Sequence, residues 1–160
     1  MIFLTVGTQF PFDRLVRAVD DLLDRGMIRE QVVAQIGESR YRPRNFASVA
    51  WLLDKAAFDM NVQQASAIIG HAGMGTITMA LDYSKPLLAM PRRREFGEVV
   101  NNHQVAMATR FGALGHILLA RDERELAEKV EQLRFFMPRP RMPDPCAVAR
   151  KIDAFLRQAS

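Results

Sequence analysis

What most constrains this chain is an alternation of short, nearly unbroken apolar runs with segments whose apolar residues recur every three to four positions. The runs fall at residues 2–6, 32–36, 48–52, 67–69, 87–90 and 117–119. Strands that are apolar at successive positions are buried on both faces, as in a parallel sheet covered by helices. Parallel strands in turn require long crossovers, usually helices. The first crossover carries Phe12, Leu15, Val16, Val19, Leu22 and Leu23 at helical spacing, and Gly26 ends it. Asp122 with Glu125 predicts a capping box that opens a helix carrying Leu126, Val130 and Leu133. The expected fold class is therefore α/β, a parallel sheet with helices on both faces.

A chain of 160 residues suffices for one such domain. Residues 1–136 hold the alternating pattern. Four prolines within 137–145 forbid helix or central strand there and predict an extended connector. Val148, Ile152, Phe155 and Leu156 then predict an amphipathic helix over 146–160, packed on this domain's sheet or docked on a partner; spacing does not choose.

The net charge of +4 is concentrated in arginines, with Arg92, Arg93 and Arg94 adjacent and Arg134, Arg139, Arg141 and Arg150 towards the end. That excess favours an anionic partner. Nucleic acid is disfavoured, because no basic run is interleaved with aromatics and no recognition helix is evident. The single cysteine, Cys146, excludes an internal disulfide framework and suits a reducing, cytoplasmic setting. A CxxC pair or a Cys/His ligand set is missing, so no metal site is expected. The first seven residues lack a basic start and a cleavage site, and read as a strand rather than a signal peptide. Apolar stretches all fall short of the roughly 20 residues that span a bilayer, so membrane contact is expected to be peripheral.

Ligands of open α/β sheets bind where strands end and helices begin, because helix N-termini offer free N–H groups and partial positive charge. Two places have that character: Gly7, Thr8 and Gln9 after the first strand, and the segment from His71 to Thr76 after the fourth. Gly73 and Gly75 permit close backbone approach, Thr76 adds a hydroxyl, and His71 offers ring nitrogens. That is the composition of a phosphate cradle. The same residues also suit a plain strand-to-helix turn around a hydrogen-bonded core histidine. Thr78 stands where a dinucleotide fingerprint needs its third glycine, and a Walker A lysine is absent.

In order along the chain stand Thr5-Val6-Gly7-Thr8, Gln35-Ile36-Gly37-Glu38-Ser39, Gly70-His71-Ala72-Gly73-Met74-Gly75-Thr76, Lys85-Pro86, Pro91-Arg92-Arg93 and Asn102-His103-Gln104. This succession, spanning about residues 1–133, resembles the family 28 glycosyltransferase C-terminal domain. It is especially similar to the short form that serves as catalytic subunit of two-component enzymes, both bacterial exopolysaccharide transferases and the eukaryotic dolichol-diphosphate N-acetylglucosamine type. The resemblance implies a Rossmann-like sheet equivalent to the C-terminal half of a GT-B glycosyltransferase, taking a UDP-sugar at the C-terminal edge of its strands. It implies diphosphate contacts from Gly7, Thr8 and Gln9 and from His71, Gly73, Met74, Gly75 and Thr76. It places a uracil pocket within 51–58, with Trp51 and Phe58 as its side chains, and a sugar-reading segment at Asn102, His103 and Gln104. Related transferases carry a ribose-binding glutamate where this sequence has Met79, and Asp82 follows one turn later.

Arg92, Arg93, Arg94 and Glu95 follow the fifth strand, and their place near the cleft mouth suits phosphate recognition, although a charge run also suits a solvated loop. Arg92 is accordingly expected among the UDP-sugar contacts, Arg93 beside His71 and Thr76 in stabilising the leaving diphosphate, and Glu98 as an orienting group for one of these arginines. No residue offers a convincing base, which the resemblance places in the other half of the cleft. The expected function is the donor-binding, catalytic subunit of an inverting transferase, without an obligatory metal or other cofactor. Its expected partner is a membrane-anchored, acceptor-binding subunit that presents a lipid-linked acceptor and keeps this chain at the membrane periphery. A non-catalytic nucleotide-binding scaffold and a UDP-sugar epimerase-like enzyme are the alternatives.

Overall fold

A computed structural model of the chain describes residues 1–51 and 54–140. The helix expected over 146–160 and most of the connector therefore lie outside the described residues. Residues 137–140 are irregular.

All six expected strands form. They are β1 (Ile2–Thr5), β2 (Val32–Gln35), β3 (Ala47–Val49), β4 (Ala67–His71), β5 (Leu87–Met90) and β6 (Leu118–Leu119). Every pairing is parallel, and the sheet order is β3-β2-β1-β4-β5-β6. Chain order therefore reverses between β1 and β4, which opens a crevice at their C-terminal ends. The third run is displaced: β3 starts at Ala47 and stops at Val49.

Alternation along each strand serves two cores. Ile2, Leu4, Ile69, Leu88 and Met90 face one side, where α1 (Asp13–Asp24) and α5 (Glu123–Val130) cover them with Leu15, Val19, Leu22, Leu126 and Val130. Phe3, Ile68, Leu87 and Ala89 face the other side, beneath α2 (Lys55–Gln64), α3 (Met74–Asp82) and α4 (His103–Ala113). Burial on both faces is why the strands read as unbroken apolar runs.

The helix boundaries follow local chemistry. After α1 the amide of Gly26 bonds the carbonyl of Leu23 and that of Met27 the carbonyl of Leu22, both at 2.9 Å, with Gly26 at φ 68°. Asp122 caps α5 by accepting the amide of Glu125 at 2.8 Å. The reciprocal half of the expected capping box is shifted by one residue. Glu125 reaches the amide of Arg121 at 3.0 Å, because the Arg121 guanidinium at 3.0 Å and Lys129 at 3.1 Å draw its carboxylate that way.

One buried carboxylate organises the connection from β2 to β3. Asp20 is 2 % exposed on the inner face of α1. It accepts the Tyr41 hydroxyl at 2.7 Å and the amides of Arg44 and Asn45 at 3.0 and 2.9 Å. Burial alone would raise its pKa, but these donors outweigh it and hold the value below the usual carboxylate range. Its contribution is therefore present at neutral pH and lost as the pH falls through the folded-state value. Asp20→Ala should destabilise the domain by about 2–4 kcal/mol at pH 7. In thermal melts the gap between wild type and variant should narrow on acidification to pH 3; a gap independent of pH would contradict this account.

Candidate nucleotide-sugar site

The crevice between β1 and β4 opens into a cavity of about 640 Å³. Its lining comes from every element that ends or begins there. Thr5, Gly7, Thr8 and Gln9 follow from β1, Gln35 ends β2, and Phe58 projects from α2. His71 ends β4, while Gly73, Met74, Gly75, Thr76 and Met79 form the start of α3. His103, Gln104 and Met107 come from the first turns of α4.

The N-termini of α3 and α4 both lack a side-chain cap, at Gly73 and Asn102. The first amide of α4, that of His103, is taken by Asn101 Oδ1 at 3.0 Å, so it is α3 that leaves its first amides for an external acceptor, while both helix dipoles present partial positive charge. The lining contains neither a carboxylate nor a lysine or arginine. A second cleft, of about 420 Å³, lies at the opposite edge, among Gly26, Met27, Val130 and Glu131, where helices end. That cleft combines Arg29 and Arg134 with Glu30 and Glu131 and meets helix C-termini, whereas the first cavity meets helix N-termini, whose dipoles favour an anion.

His71 is the centre of the cradle. Its Nδ1 lies 3.2 Å from Thr76 Oγ1. A Cβ added at Gly7 would stand 2.4 Å from the ring, and one added at Gly73 likewise 2.4 Å, so these glycines exist to let the imidazole fit between two turns. Gly7 also has φ 75°, a conformation other residues rarely adopt. Burial, reinforced by the positive charge of Arg92 and opposed by a hydrogen bond with the Thr5 backbone, pulls the His71 pKa down to about 4. At neutral pH the ring is an uncharged hydrogen-bonding group.

Gly75 differs from the other two. A Cβ there would meet nothing within 4 Å, although glycine inside a helix is unfavourable. The missing side chain leaves room on the cavity side rather than relieving a contact within the fold.

With that geometry in place, likeness to known proteins becomes specific. The glycosyltransferase family 28 C-terminal domain matches residues 1–156. The chain belongs to that family. It is 30 % identical over 124 residues to the human UDP-N-acetylglucosamine transferase subunit ALG13, covering 72 % of this chain but only 10 % of that protein. To the subunit of the same name from Eremothecium gossypii it is 31 % identical over 166 residues, covering 79 % of this chain and 77 % of the relative. The solution structure of ALG13 superposes with a TM-score of 0.60 at 19 % identity, covering 90 % of each chain, which shows a common fold.

In this family 28 domain the structure gathers Gly7, Thr8, Gln9, Phe58, His71, Gly73, Met74, Gly75, Thr76, His103 and Gln104 around one cavity. Phe58 is fixed there by an edge-on contact with Phe3, the ring centroids 5.4 Å apart. Four expected residues stand elsewhere. Trp51 is exposed and abuts Gly37 rather than the cavity. Asn102 turns its side-chain oxygen to the amide of Arg94 at 2.9 Å and so ties the 94–102 loop. Arg92, expected among the ligand contacts, is buried below the 6–10 loop. Arg93, expected at the leaving group, points to Glu95 and to the carbonyl of Arg121, both at 2.9 Å.

Glu98 is also redirected. It forms a two-pronged pair with Arg14, at 2.8 and 2.9 Å, and reaches Arg93 only through its backbone amide at 2.8 Å. Arg14 is held further by Glu123 at 3.2 Å and lies over the ring of Phe96, 4.6 Å from its centroid. These contacts fix the loop after β5 instead of arming it for phosphate.

Thr5, Gln35, Met79 and Met107 line the cavity without having been singled out as contacts from spacing. Thr5 and Gln35 carried a readable signal: each is a buried polar residue ending an otherwise apolar strand. Met107 follows His103 by one helical turn, and Met79 follows Gly75 by the same step, so both face the cavity by periodicity.

Gly75→Val tests the cradle. Since an added Cβ meets no protein atom, the melting temperature should stay close to wild type. Affinity for UDP should fall at least about tenfold by calorimetry, some 1.4 kcal/mol. Unchanged affinity would remove Gly75 from the site.

Proposed function

We propose that this chain is the donor-binding subunit of a two-component, inverting glycosyltransferase that transfers a sugar from a UDP-sugar to a lipid-linked acceptor. The observation that carries the reading is the cavity at the β1/β4 crevice. It combines the uncapped N-terminus of α3, the first turn of α4, an uncharged buried imidazole and a glycine whose missing side chain leaves open space. These are groups that meet negative charge through oriented N–H dipoles. In this reading the diphosphate sits between the turn at Gly7 and Thr8 and the start of α3. His71 and Thr76 assist the leaving UDP, and His103 with Gln104 faces the sugar.

A UDP leaving group needs its growing charge stabilised, while the acceptor hydroxyl needs a base. The cavity offers the first function. Among the described residues no carboxylate lines it, and in this reading the base comes from a second chain that closes the cleft and brings the acceptor. The similarity to proteins named as subunits of a UDP-N-acetylglucosamine transferase supports both the heteromeric arrangement and the UDP-sugar class. Since the chain spans about a tenth of the human relative, donor sugar and acceptor are proposals for this protein alone. Among the described residues no helix is long and apolar enough to cross a membrane, and in this reading the partner supplies the membrane anchor.

Calorimetric titration of the purified chain should show UDP and at least one UDP-sugar binding, with ADP and GDP weaker. Transfer should appear only after co-expression with an acceptor-binding subunit. A chain that binds no uridine nucleotide would overturn the proposal.

A further inference from the structure

Arg92 is the largest of the fully buried side chains, at 1 % exposure. Its Nη2 donates to the carbonyls of Val6 and Phe10, the two ends of the loop carrying Gly7, Thr8 and Gln9. The ring of Phe12 lies 5.1 Å from its guanidinium carbon, and its Nε has no hydrogen-bond partner among the described residues. Among the described residues it makes no ion pair, because Glu98, the acid that acts on it, is occupied by Arg14 and the Arg93 amide. A buried cation without a counter-ion is costly, and an apolar side chain of similar volume would pack there more favourably. The fold nonetheless keeps the charge directly beneath a cavity whose own lining contains no cation.

We propose that Arg92 is a positioning residue that clamps both ends of the 6–10 loop from below and supplies the fixed positive charge for a diphosphate bound above it. This rests on the reading of the cavity as a UDP-sugar site. The bound diphosphate is then the counter-ion that the protein does not provide. Burial lowers the arginine's pKa to about 10, against the pull of Glu98, so the guanidinium stays charged at neutral pH. The same charge helps keep His71 neutral; the other neighbours of that ring are Gly7, Gly73, Thr76 and the Thr5 backbone, none of them charged. Both carbonyls are held by Nη2 alone; lysine preserves the charge, but its ammonium ends one bond short of that nitrogen and lacks the flat guanidinium face, which separates the two roles.

The test compares wild type, Arg92→Lys and Arg92→Met by calorimetry with UDP and with inorganic pyrophosphate, and by NMR of the Gly7, Thr8 and Gln9 amides and the His71 ring. Arg92→Lys should weaken UDP several-fold and shift the loop amides, with the His71 midpoint still near 4. Arg92→Met should weaken UDP by about a hundredfold, and its His71 midpoint should move up from about 4 while staying below 6.5, since burial, the larger cause, remains. If the methionine variant does not fold, the lysine variant decides: native affinity with unshifted loop amides overturns the proposal. A folded methionine variant with native affinity and an unmoved His71 also overturns it. Arg92-dependent binding of pyrophosphate without binding of any uridine nucleotide would refute the UDP-sugar reading and keep this one, whereas binding of neither would refute both.

Discussion

Among the described residues the tightest approach of a glycine to another stretch of backbone is at the middle of the sheet, where β4 passes β1 at Gly70. A Cβ at that position would stand 2.9 Å from the Thr5 carbonyl and 3.2 Å from Thr76 Cγ2. Only hydrogen in place of a side chain lets β1, β4 and the start of α3 share this space. Everything that defines the site follows from that contact. It sets the register that pairs Thr5 with Gly70, brings Thr76 within reach of His71, and aims the first turn of α3 at the crevice. A protein interior is packed too tightly for a displacement here to be absorbed locally.

Around that centre the electrostatics is arranged in layers. The inner layer consists of dipoles: the N-termini of α3 and α4, the former uncapped, and a desolvated, uncharged histidine. Formal charge is kept one layer away, in Arg92 beneath the loop. Farther out, the loop after β5 is fixed by Arg14, Glu98, Glu123 and Phe96. Charges held in fixed positions away from water act at low effective dielectric and need no rearrangement when an anion arrives. The arrangement also shows that two of the three adjacent arginines, Arg92 and Arg93, serve the fold, while Arg94 stays exposed.

Membership of family 28 and the single-sheet architecture fit a half-site that depends on a second chain. The cavity is open towards the C-terminal edge of the strands, and among the described residues its lining has hydrogen-bonding groups but no carboxylate. Transition-state charge on a diphosphate can be met from one side, whereas the acceptor and its base approach from the other. Dividing these tasks between chains is consistent with the relatives named as transferase subunits.

The sequence by itself determined the class of fold, the six strands, the helix over α1, the Asp122 cap and most of the cradle. These features are local: period, caps and glycine-rich turns act within a few residues of one another, so they are legible along the chain. Phe58 at the cavity was legible too, but only through family resemblance. The tertiary structure alone decided the roles of Trp51, Arg92, Arg93, Glu98 and Asn102. A long charged side chain takes whichever partner the fold brings within about 3 Å, and the partners of Arg92 and Glu98 that decide their roles lie far away in sequence. Arg92 meets carbonyls 82 and 86 residues away, and Glu98 meets an arginine 84 residues away. Thr5 and Gln35 lie between these extremes: their polarity at strand ends was visible in the chain, but their meeting at one cavity came from the parallel register that places them side by side.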